Sequence, residues 1–266
     1  MGSDWIQRSY LQTLAAAQAE CDDFCFCNSN QKDVLEKHYI TLTSNFGPIA
    51  SNFGTEHETW PTAVRSLPSE AVIRRARGSD RPTVTLTLAA AFDKDHVTSF
   101  CIRADARHRW AMHVAFKRAL DLFQPYDLTF VANDGQGAAL WARHDQWQLT
   151  FWQECWLIPL YMRVCGIDRF MRLGRGFDSM KSHHPTVPHY YLYLLGVHPD
   201  YQLQGLGSAL LCTMLERCDR EHMPAYLEAS SPRNIPFYRK HGFQVIEEFA
   251  FGPGGPPLAA MWRSPS

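Results

Sequence analysis

The sequence has little excess charge of either sign and no long apolar run. Lys and Arg together number 26 and Asp and Glu 27, which gives a net charge of −1. A chain this close to neutral has no overall attraction for nucleic acids or anionic membranes. Gln153 and Glu154 interrupt the most apolar stretch, residues 149–164, whereas a membrane-spanning helix needs about 20 apolar residues. The sequence therefore predicts neither a nucleic-acid partner nor a membrane-spanning segment.

Residues 1–20 also lack the pattern of a targeting signal. A secretory signal has a basic start followed by an apolar stretch, and these residues do not show that order. The acidic residues Asp4 and Glu20 are untypical of a transit peptide. We therefore expect a cytoplasmic protein whose eight cysteines remain free thiols in a reducing compartment.

The cysteine and histidine patterns do not indicate a metal site. Cys21, Cys25 and Cys27 lie close together, but no second pair of cysteines or histidines with metal-ligand spacing accompanies them. His183 and His184 lie in a polar stretch, so we expect their side chains to be solvated rather than to act as ligands. The sequence predicts no bound metal.

The composition itself is that of a folded globular protein. Of 266 residues, 45% are hydrophobic, 13% aromatic and 20% charged, which is enough for a hydrophobic core. Residues 1–69 are polar and turn-rich and contain the segment Ser-Asn-Phe-Gly twice. We interpret residues 1–69 as an N-terminal extension, partly disordered or appended, and residues 70–266 as the folded domain.

Within residues 70–266, short apolar runs alternate with helical patterns. A hairpin signal, Asn133-Asp134-Gly135-Gln136-Gly137, separates two of the apolar runs. A mixture of hairpins and crossovers predicts an α/β fold with a mixed sheet. The predicted strands are residues 71–76, 128–132, 138–141, 190–197, 225–229, 243–249 and 258–262. The first predicted helix follows an N-cap in Gly78-Ser79-Asp80, has Pro82 in its first turn and continues through residues 86–92. The other predicted helices are residues 106–123, 147–175, 205–218 and 234–240.

One loop has the layout of an anion-binding site. A predicted strand ends at Val197, a Pro-Asp turn follows, and a loop with Gly205 and Gly207 leads directly into a helix. The first N–H groups of a helix have no internal partner and lie at the positive end of its dipole. Glycines let a phosphate come close to the backbone. The Lys-Ser/Thr of a P-loop and the third glycine of a dinucleotide fingerprint are missing, so this is a phosphate site of another kind.

Two segments together resemble one known family. Gln202-x-x-Gly205-x-Gly207, after a strand ending in Gly-Val, resembles the acetyl-CoA loop of the GNAT superfamily of N-acetyltransferases. Residues 226–243 resemble the strand, Asn and Phe-Tyr-x-x-x-Gly-Phe block of the same family. Within the superfamily, the sequence is most similar to puromycin N-acetyltransferase-like enzymes, through LAAAF (88–92), GLGSA (205–209) and a closing Met-Trp-Arg. The similarity covers about residues 71–263 and is dense between 191 and 243.

The resemblance implies a fold, a donor and a set of binding residues. The fold is α/β, with a mixed, mostly antiparallel central sheet flanked by helices, in which two parallel strands splay apart and admit the pantetheine arm of acetyl-CoA. Residues 70–266 would be the N-acetyltransferase domain, with acetyl-CoA as co-substrate. The implied contacts to the pantetheine arm come from Leu195, Gly196, Val197 and Asn234. Those to the pyrophosphate come from Gln202, Leu203, Gln204, Gly205, Leu206, Gly207 and Ser208.

The implied reaction is direct attack of a neutral amine on the acetyl thioester. An alkylamine has a pKa near about 10 and must lose a proton, and a thiolate whose conjugate pKa is about 8.5 gains from a proton donor as it leaves. Tyr238 matches the general acid of the family. Glu228 is the candidate base, although a structural, hydrogen-bonded glutamate is an equal alternative, and His198 is a weaker candidate.

The sequence gives one indication of the acceptor. Between the strands at 138–141 and 190–197, where a minimal family member has a tight hairpin, it inserts a helical stretch rich in aromatic residues: Trp147, Trp152, Trp156, Tyr161 and Phe170. These side chains either pack in the core or line an apolar pocket. An apolar pocket would suit a small, partly hydrophobic amine.

We therefore expect an N-acetyltransferase for a small-molecule amine, as a monomer or homodimer. A protein or peptide acetyltransferase, acting on lysine or an N-terminus, is one alternative. A non-catalytic CoA-binding interaction module is the other.

Overall fold

The computed structural model describes residues 71–148 and 150–266. The predictions for residues 1–69, among them the cysteine cluster and the domain boundary, lie outside the described residues. No helix within the described ranges is both long and apolar enough to cross a bilayer.

The described residues form a seven-stranded sheet flanked by helices. The strands are β1 (Ile73–Arg75), β2 (Thr129–Ala132), β3 (Gly137–Arg143), β4 (Tyr190–Val197), β5 (Ala225–Ala229), β6 (Gln244–Ala250) and β7 (Pro257–Arg263). The helices are α1 (Arg81–Ala91), α2 (His96–Cys101), α3 (His108–Phe123), α4 (Phe151–Cys165), α5 (Ile167–His183), α6 (Leu206–Arg220) and α7 (Ile235–Lys240).

The sheet is mixed and mostly antiparallel, which confirms the predicted fold class. The strand order is β1-β2-β3-β4-β5-β7-β6. Five of the neighbouring pairs are antiparallel, and the β4–β5 pair is parallel. The connection from β4 to β5 runs through α6, as a parallel pair requires, because a crossover rather than a hairpin must join its strands.

The two parallel strands diverge soon after they begin. Tyr190, Tyr191 and Leu192 pair with the first three residues of β5, and the ladder between the strands ends there. On its other side, β4 stays paired with β3 as far as Val197, with a register shift that leaves Tyr193 as the extra residue. A bulge of this kind bends its strand. The second half of β4 therefore follows β3 and leaves a gap toward β5.

Both faces of the sheet are covered by helices. On one face, α6 packs with Leu210, Leu211 and Met214 fully buried. On the other face, α1 and α3 pack against β3 and β4. Gly196 lies where α1 crosses β4, and a Cβ atom there would come within 2.8 Å of Leu88 Cδ2. The strand that borders the gap is thus held by close contact with α1.

The predicted helix at residues 147–175 is two helices. Thr150 caps the N-terminus of α4 by accepting a hydrogen bond from the backbone N–H of Gln153. Gly166 separates α4 from α5 with φ +79°, a conformation that glycine adopts without steric cost. The second helix then continues beyond the predicted end, to His183.

Candidate active site

A cavity of about 220 Å³ lies where β4 and β5 diverge. Several of its walls are apolar side chains from the loop after α2 and from α3, α4 and α5: Ile102, Phe116, Val164, Leu173 and Phe177. Polar groups also line it, and among them are Asp95, Glu228, Ser230, Asn234 and Tyr238. The fold therefore brings both predicted catalytic residues and the predicted pantetheine-binding asparagine to one cavity, together with Leu195 of β4.

The loop after β4 leaves a helix N-terminus exposed. Leu203 and Gly205 both take left-handed conformations, with φ of 62° and 85°. Helix α6 begins at Leu206, and within the described residues no side chain caps it. A Cβ atom on Gly205 would meet nothing within 4 Å, and one on Gly207 would lie 3.6 Å from Phe237. This geometry fits a phosphate group, because no described side chain caps the first N–H groups of α6 and Gly205 leaves open space beside them.

Several side chains of this loop are used by the protein itself. The Gln202 amide donates to the carbonyl oxygen of Val197 at 3.1 Å. Leu206 is buried in the core beneath the sheet, and Ser208 Oγ lies 3.1 Å from His241 Nε2. Ligand contacts from Leu206 and Ser208 would therefore come from their backbone N–H groups.

The second half of β4 offers a strand edge to the gap. Leu195, Gly196 and Val197 pair with β3 on one side, and β5 has already diverged on the other. Asn234 lines the cavity from the turn that precedes α7, where it is exposed. Its side chain does not cap α7. An extended molecule lying in the gap would pass both the unpaired edge of β4 and the side chain of Asn234.

Tyr238 lies on α7 and is buried against the cavity. Its ring packs edge-on against Phe237 and Phe243. Burial, and then the negative charge of Asp95, raise the pKa of the Tyr238 phenol well above its usual value. The phenol is thus protonated at neutral pH, which is the state that a proton donor needs.

Glu228 lies on β5, and its side chain is 3% exposed. Its carboxylate faces the phenols of Tyr191 and Tyr226, and burial together with this charge raises the pKa of both phenols. His184 Nδ1 lies 3.4 Å from Glu228 Oε1. The Glu228 carboxylate, which borders the cavity, is thereby enclosed by two phenols that stay neutral and by an imidazole.

The prediction that His184 is solvated was wrong. Its side chain is 4% exposed, because α5 extends to His183 and the chain then turns back onto the sheet. There the His184 ring packs against three aromatic rings, with centroid distances of 4.2 Å to Trp147, 4.7 Å to Tyr191 and 4.9 Å to Tyr226. The neighbouring His183 stays partly exposed and stacks on Phe249.

Comparison with known proteins identifies the site-bearing region. Residues 161–245 match the family described as Acetyltransferase (GNAT) domain, and this span includes the phosphate-type loop, Glu228, Asn234 and Tyr238. The part of the chain that bears the site is therefore similar to GNAT acetyltransferases. The protein is accordingly an N-acetyltransferase that uses acetyl-CoA, which confirms the predicted enzyme class.

Solved structures with the GNAT fold resemble the protein over most of its length. The protein described as histone acetyltransferase HPA2 and related acetyltransferase from Corynebacterium glutamicum is 25% identical, with a TM-score of 0.55 over 74% of this chain and 97% of that one. A polyamine N-acetyltransferase from Drosophila melanogaster is 16% identical, with a TM-score of 0.51 over 73% and 100%. Arylalkylamine N-acetyltransferase 2 from Aedes aegypti is 13% identical, with a TM-score of 0.52 over 74% and 100%.

Sequence reasoning missed one polar contact beside the cavity. Asp95 caps α2 by accepting from the backbone N–H groups of Val97 and Thr98, each at 3.0 Å. Ser230, just after β5, donates to the other oxygen of Asp95 at 2.5 Å. Asp95 is of a residue type that commonly caps helix N-termini, but its partner Ser230 lies 135 residues away. The pair joins α2 to β5 beside the cavity.

Other predicted residues divide between the site and the surface. His198 lies outside the cavity lining, and its Nδ1 accepts from the backbone N–H of Asp200 at 3.3 Å. Of the inserted aromatic residues, Tyr161 lines the cavity, whereas Trp156 is 84% exposed and Trp152 72% exposed. The aromatic residues of this stretch therefore neither all pack in the core nor all line a pocket.

Proposed function

We propose that this acetyltransferase acetylates the primary amine of a small molecule that also carries a hydrophobic group. The observation that supports this most directly is the cavity, which combines apolar walls with Glu228 and Tyr238. Of the proteins with similar structures, one is named a polyamine and one an arylalkylamine N-acetyltransferase. The apolar walls favour the second kind of acceptor, because a polyamine carries several charges that such walls cannot solvate.

The proposed donor site combines the loop at residues 202–208 with the edge of β4. The exposed N-terminus of α6 would receive the diphosphate of acetyl-CoA through the N–H groups of residues 203–208. The backbone of residues 195–197 and the side chain of Asn234 would bind the pantetheine arm. The gap between β4 and β5 supports this arrangement, because it leads from the loop toward Glu228 and Tyr238.

Tyr238 and Glu228 divide the two proton transfers. The Tyr238 phenol, kept protonated by its raised pKa, donates to the sulfur of the leaving thiolate. The Glu228 carboxylate accepts the proton that an ammonium group must lose before its nitrogen can attack. General acid–base catalysis of this kind contributes about 10²–10⁴-fold, and holding the amine beside the thioester supplies much of the remainder.

The acidic groups of the cavity indicate an acceptor with one amine. The Asp95 carboxylate already accepts three hydrogen bonds from the protein, which leaves Glu228 as the carboxylate facing an incoming ammonium group. The sequence resemblance to puromycin N-acetyltransferase-like enzymes agrees with an amine attached to a bulky apolar group. We therefore include puromycin among the candidate acceptors.

A panel of amines tests this proposal. Acetyl-CoA binding is measured by titration, and thiol release is followed with 2-phenylethylamine, puromycin, spermidine and a lysine-containing peptide. We expect the highest kcat/KM for 2-phenylethylamine or puromycin. A preference for the peptide would instead support a protein acetyltransferase. Binding without turnover of any amine would support a non-catalytic module, and absence of binding would contradict the proposed donor site.

A further inference from the structure

Two buried histidines continue from the carboxylate of Glu228 into the protein. His184 Nδ1 lies 3.4 Å from Glu228 Oε1. His184 Nε2 lies 3.1 Å from His189 Nε2, and His189 Nδ1 lies 2.7 Å from the carbonyl oxygen of Val187. Glu228 lines the cavity and the two histidines do not. The catalytic carboxylate is therefore one end of a row of titratable groups.

The carbonyl at the far end fixes where the hydrogens of this row lie. A carbonyl oxygen can only accept, so His189 Nδ1 carries a hydrogen and donates it to Val187. Burial lowers the pKa of His189 to about 4, so the ring is neutral at pH 7 and its Nε2 is an acceptor. His184 must then carry its hydrogen on Nε2 and donate to His189.

This assignment leaves two acceptors facing each other. An imidazole with its hydrogen on Nε2 presents a lone pair at Nδ1, and a carboxylate presents another at Oε1. Both atoms are buried, and neither has a hydrogen-bond partner among the residues that the structure describes. One proton placed between them would give each atom a partner. The row is therefore arranged to receive a single proton at this position.

We propose that the Glu228–His184 pair is the acceptor for the proton of the attacking amine, with His184 as a positioning residue that acts through Glu228. This inference rests on the proposed function. The ammonium group gives one proton to the pair, and the neutral nitrogen then attacks the thioester carbon. The C–N bond forms as the C–S bond breaks. The thiolate takes a proton from Tyr238, and Tyr238 regains a proton from the nitrogen that attacked. The proton held by the Glu228–His184 pair leaves to solvent after the product has left.

The titratable groups around the Glu228–His184 pair do not compete with it for the proton of the amine. Titratable side chains face the two residues from β4, β5 and β6 and from the segments that precede and follow the inserted helices: Tyr191, Tyr193, Tyr226, Glu247, His189 and His144. Burial raises the pKa of all three phenols, so none of them is ionised near pH 7. The negative charge of Glu247, on β6, also raises the pKa of Tyr226. The Glu247 carboxylate itself lies 3.7 Å from His183.

The test compares two acceptors of nearly equal shape and different basicity. 2-Phenylethylamine is an ammonium ion at pH 7, whereas the fluorine atoms of 2,2-difluoro-2-phenylethylamine lower the amine pKa, so that much of it is already neutral. We expect His184→Gln to lower kcat for 2-phenylethylamine by about 10-fold or more and to leave kcat for the difluoro compound nearly unchanged. The loss should recover as the pH approaches the amine pKa, and the KM for acetyl-CoA should not move.

Two further variants keep the test decisive. Glu228→Gln keeps the shape of the side chain and should show the same dependence on amine basicity, also where His184→Gln does not fold. The double variant should be no slower than the slower single variant, because the two residues act as a unit. The inference would be overturned if kcat fell equally with both amines, or if kcat for 2-phenylethylamine did not recover at high pH. A wild-type protein that binds acetyl-CoA and acetylates neither amine would instead overturn the proposed function and this inference with it.

Discussion

Gln202, the first residue of the glycine-bearing loop, donates its side-chain amide to the carbonyl of Val197, the last residue of β4. The donor and acceptor atoms are 3.1 Å apart. This bond fixes the loop relative to the strand that borders the gap. The proposed diphosphate site and the proposed pantetheine site are therefore held at one distance from each other.

Gln202→Ala should weaken acetyl-CoA binding without unfolding the protein. Loss of one such hydrogen bond costs about 1 kcal/mol, or about fivefold in affinity, and titration calorimetry would measure it. Gln146→Ala is a matched control, because the Gln146 side-chain oxygen accepts from the backbone N–H of Arg143 at 3.1 Å, away from the loop. Equal affinity in Gln202→Ala and the wild type would show that the loop holds its place without this bond.

Gly205→Ala should weaken acetyl-CoA binding about 10-fold. The substituted side chain has space, but φ of +85° costs a residue with a Cβ about 1–2 kcal/mol, and relief of that strain would move the first N–H groups of α6. Gly254→Ala is the control, since Gly254 has φ +69° and equally open surroundings in the β6–β7 turn. Both variants should lose similar stability in urea unfolding, and the loss of affinity should be confined to Gly205→Ala.

The layout of this loop could be predicted because it is local in sequence. A strand end, two glycines and a helix start are contiguous, and Tyr238 and Asn234 belong to a second contiguous block. The burial of His184 could not be predicted in the same way. It depends on Trp147 and Tyr226, which approach it only in the folded sheet. The partner of Asp95 was missed for the same reason.

Gly196→Ala should destabilise the protein by about 1–3 kcal/mol, the usual cost of overpacking. The new Cβ atom would lie 2.8 Å from Leu88 Cδ2 and 3.1 Å from Phe92 Cε2, so α1 would have to move away from β4. Gly174→Ala in α5 is the control, because nothing lies within 4 Å of its Cβ position and alanine favours a helix interior by up to about 1 kcal/mol. Urea unfolding would measure both changes, and an unchanged Gly196→Ala would mean that α1 is not held by this contact.

Protonation of His189 should make the fold less stable in mild acid. Burial lowers its pKa to about 4 in the folded protein, against about 6.5 for an unfolded chain. Because the unfolded chain binds this proton more tightly, the stabilisation is complete above about pH 6.5 and is lost as the pH falls toward 4. The unfolding free energy should fall by about 1 kcal/mol per pH unit in that window.

Urea unfolding at about pH 7 and about pH 5 would measure this dependence. His189→Gln should have a smaller difference between the two pH values than the wild type. His96→Gln, which changes an exposed histidine at the start of α2, should keep the wild-type difference. The same difference in all three proteins would contradict a titration of His189 in this range.

Tyr238→Phe should lower kcat by about 10²-fold and leave the dissociation constant of acetyl-CoA unchanged. The phenol is buried and close to the charge of Asp95, both of which raise its pKa, so the wild-type enzyme keeps this donor protonated throughout the assay range. The variant lacks the donor at every pH, and its loss should therefore not recover at high or low pH. This separates Tyr238 from the Glu228–His184 pair, whose loss should recover as the amine becomes neutral. Tyr126→Phe is the control, because it removes a hydroxyl from a partly buried tyrosine beside Phe123, outside the cavity lining. Full activity in Tyr238→Phe would show that the thiolate leaves without a proton from this residue.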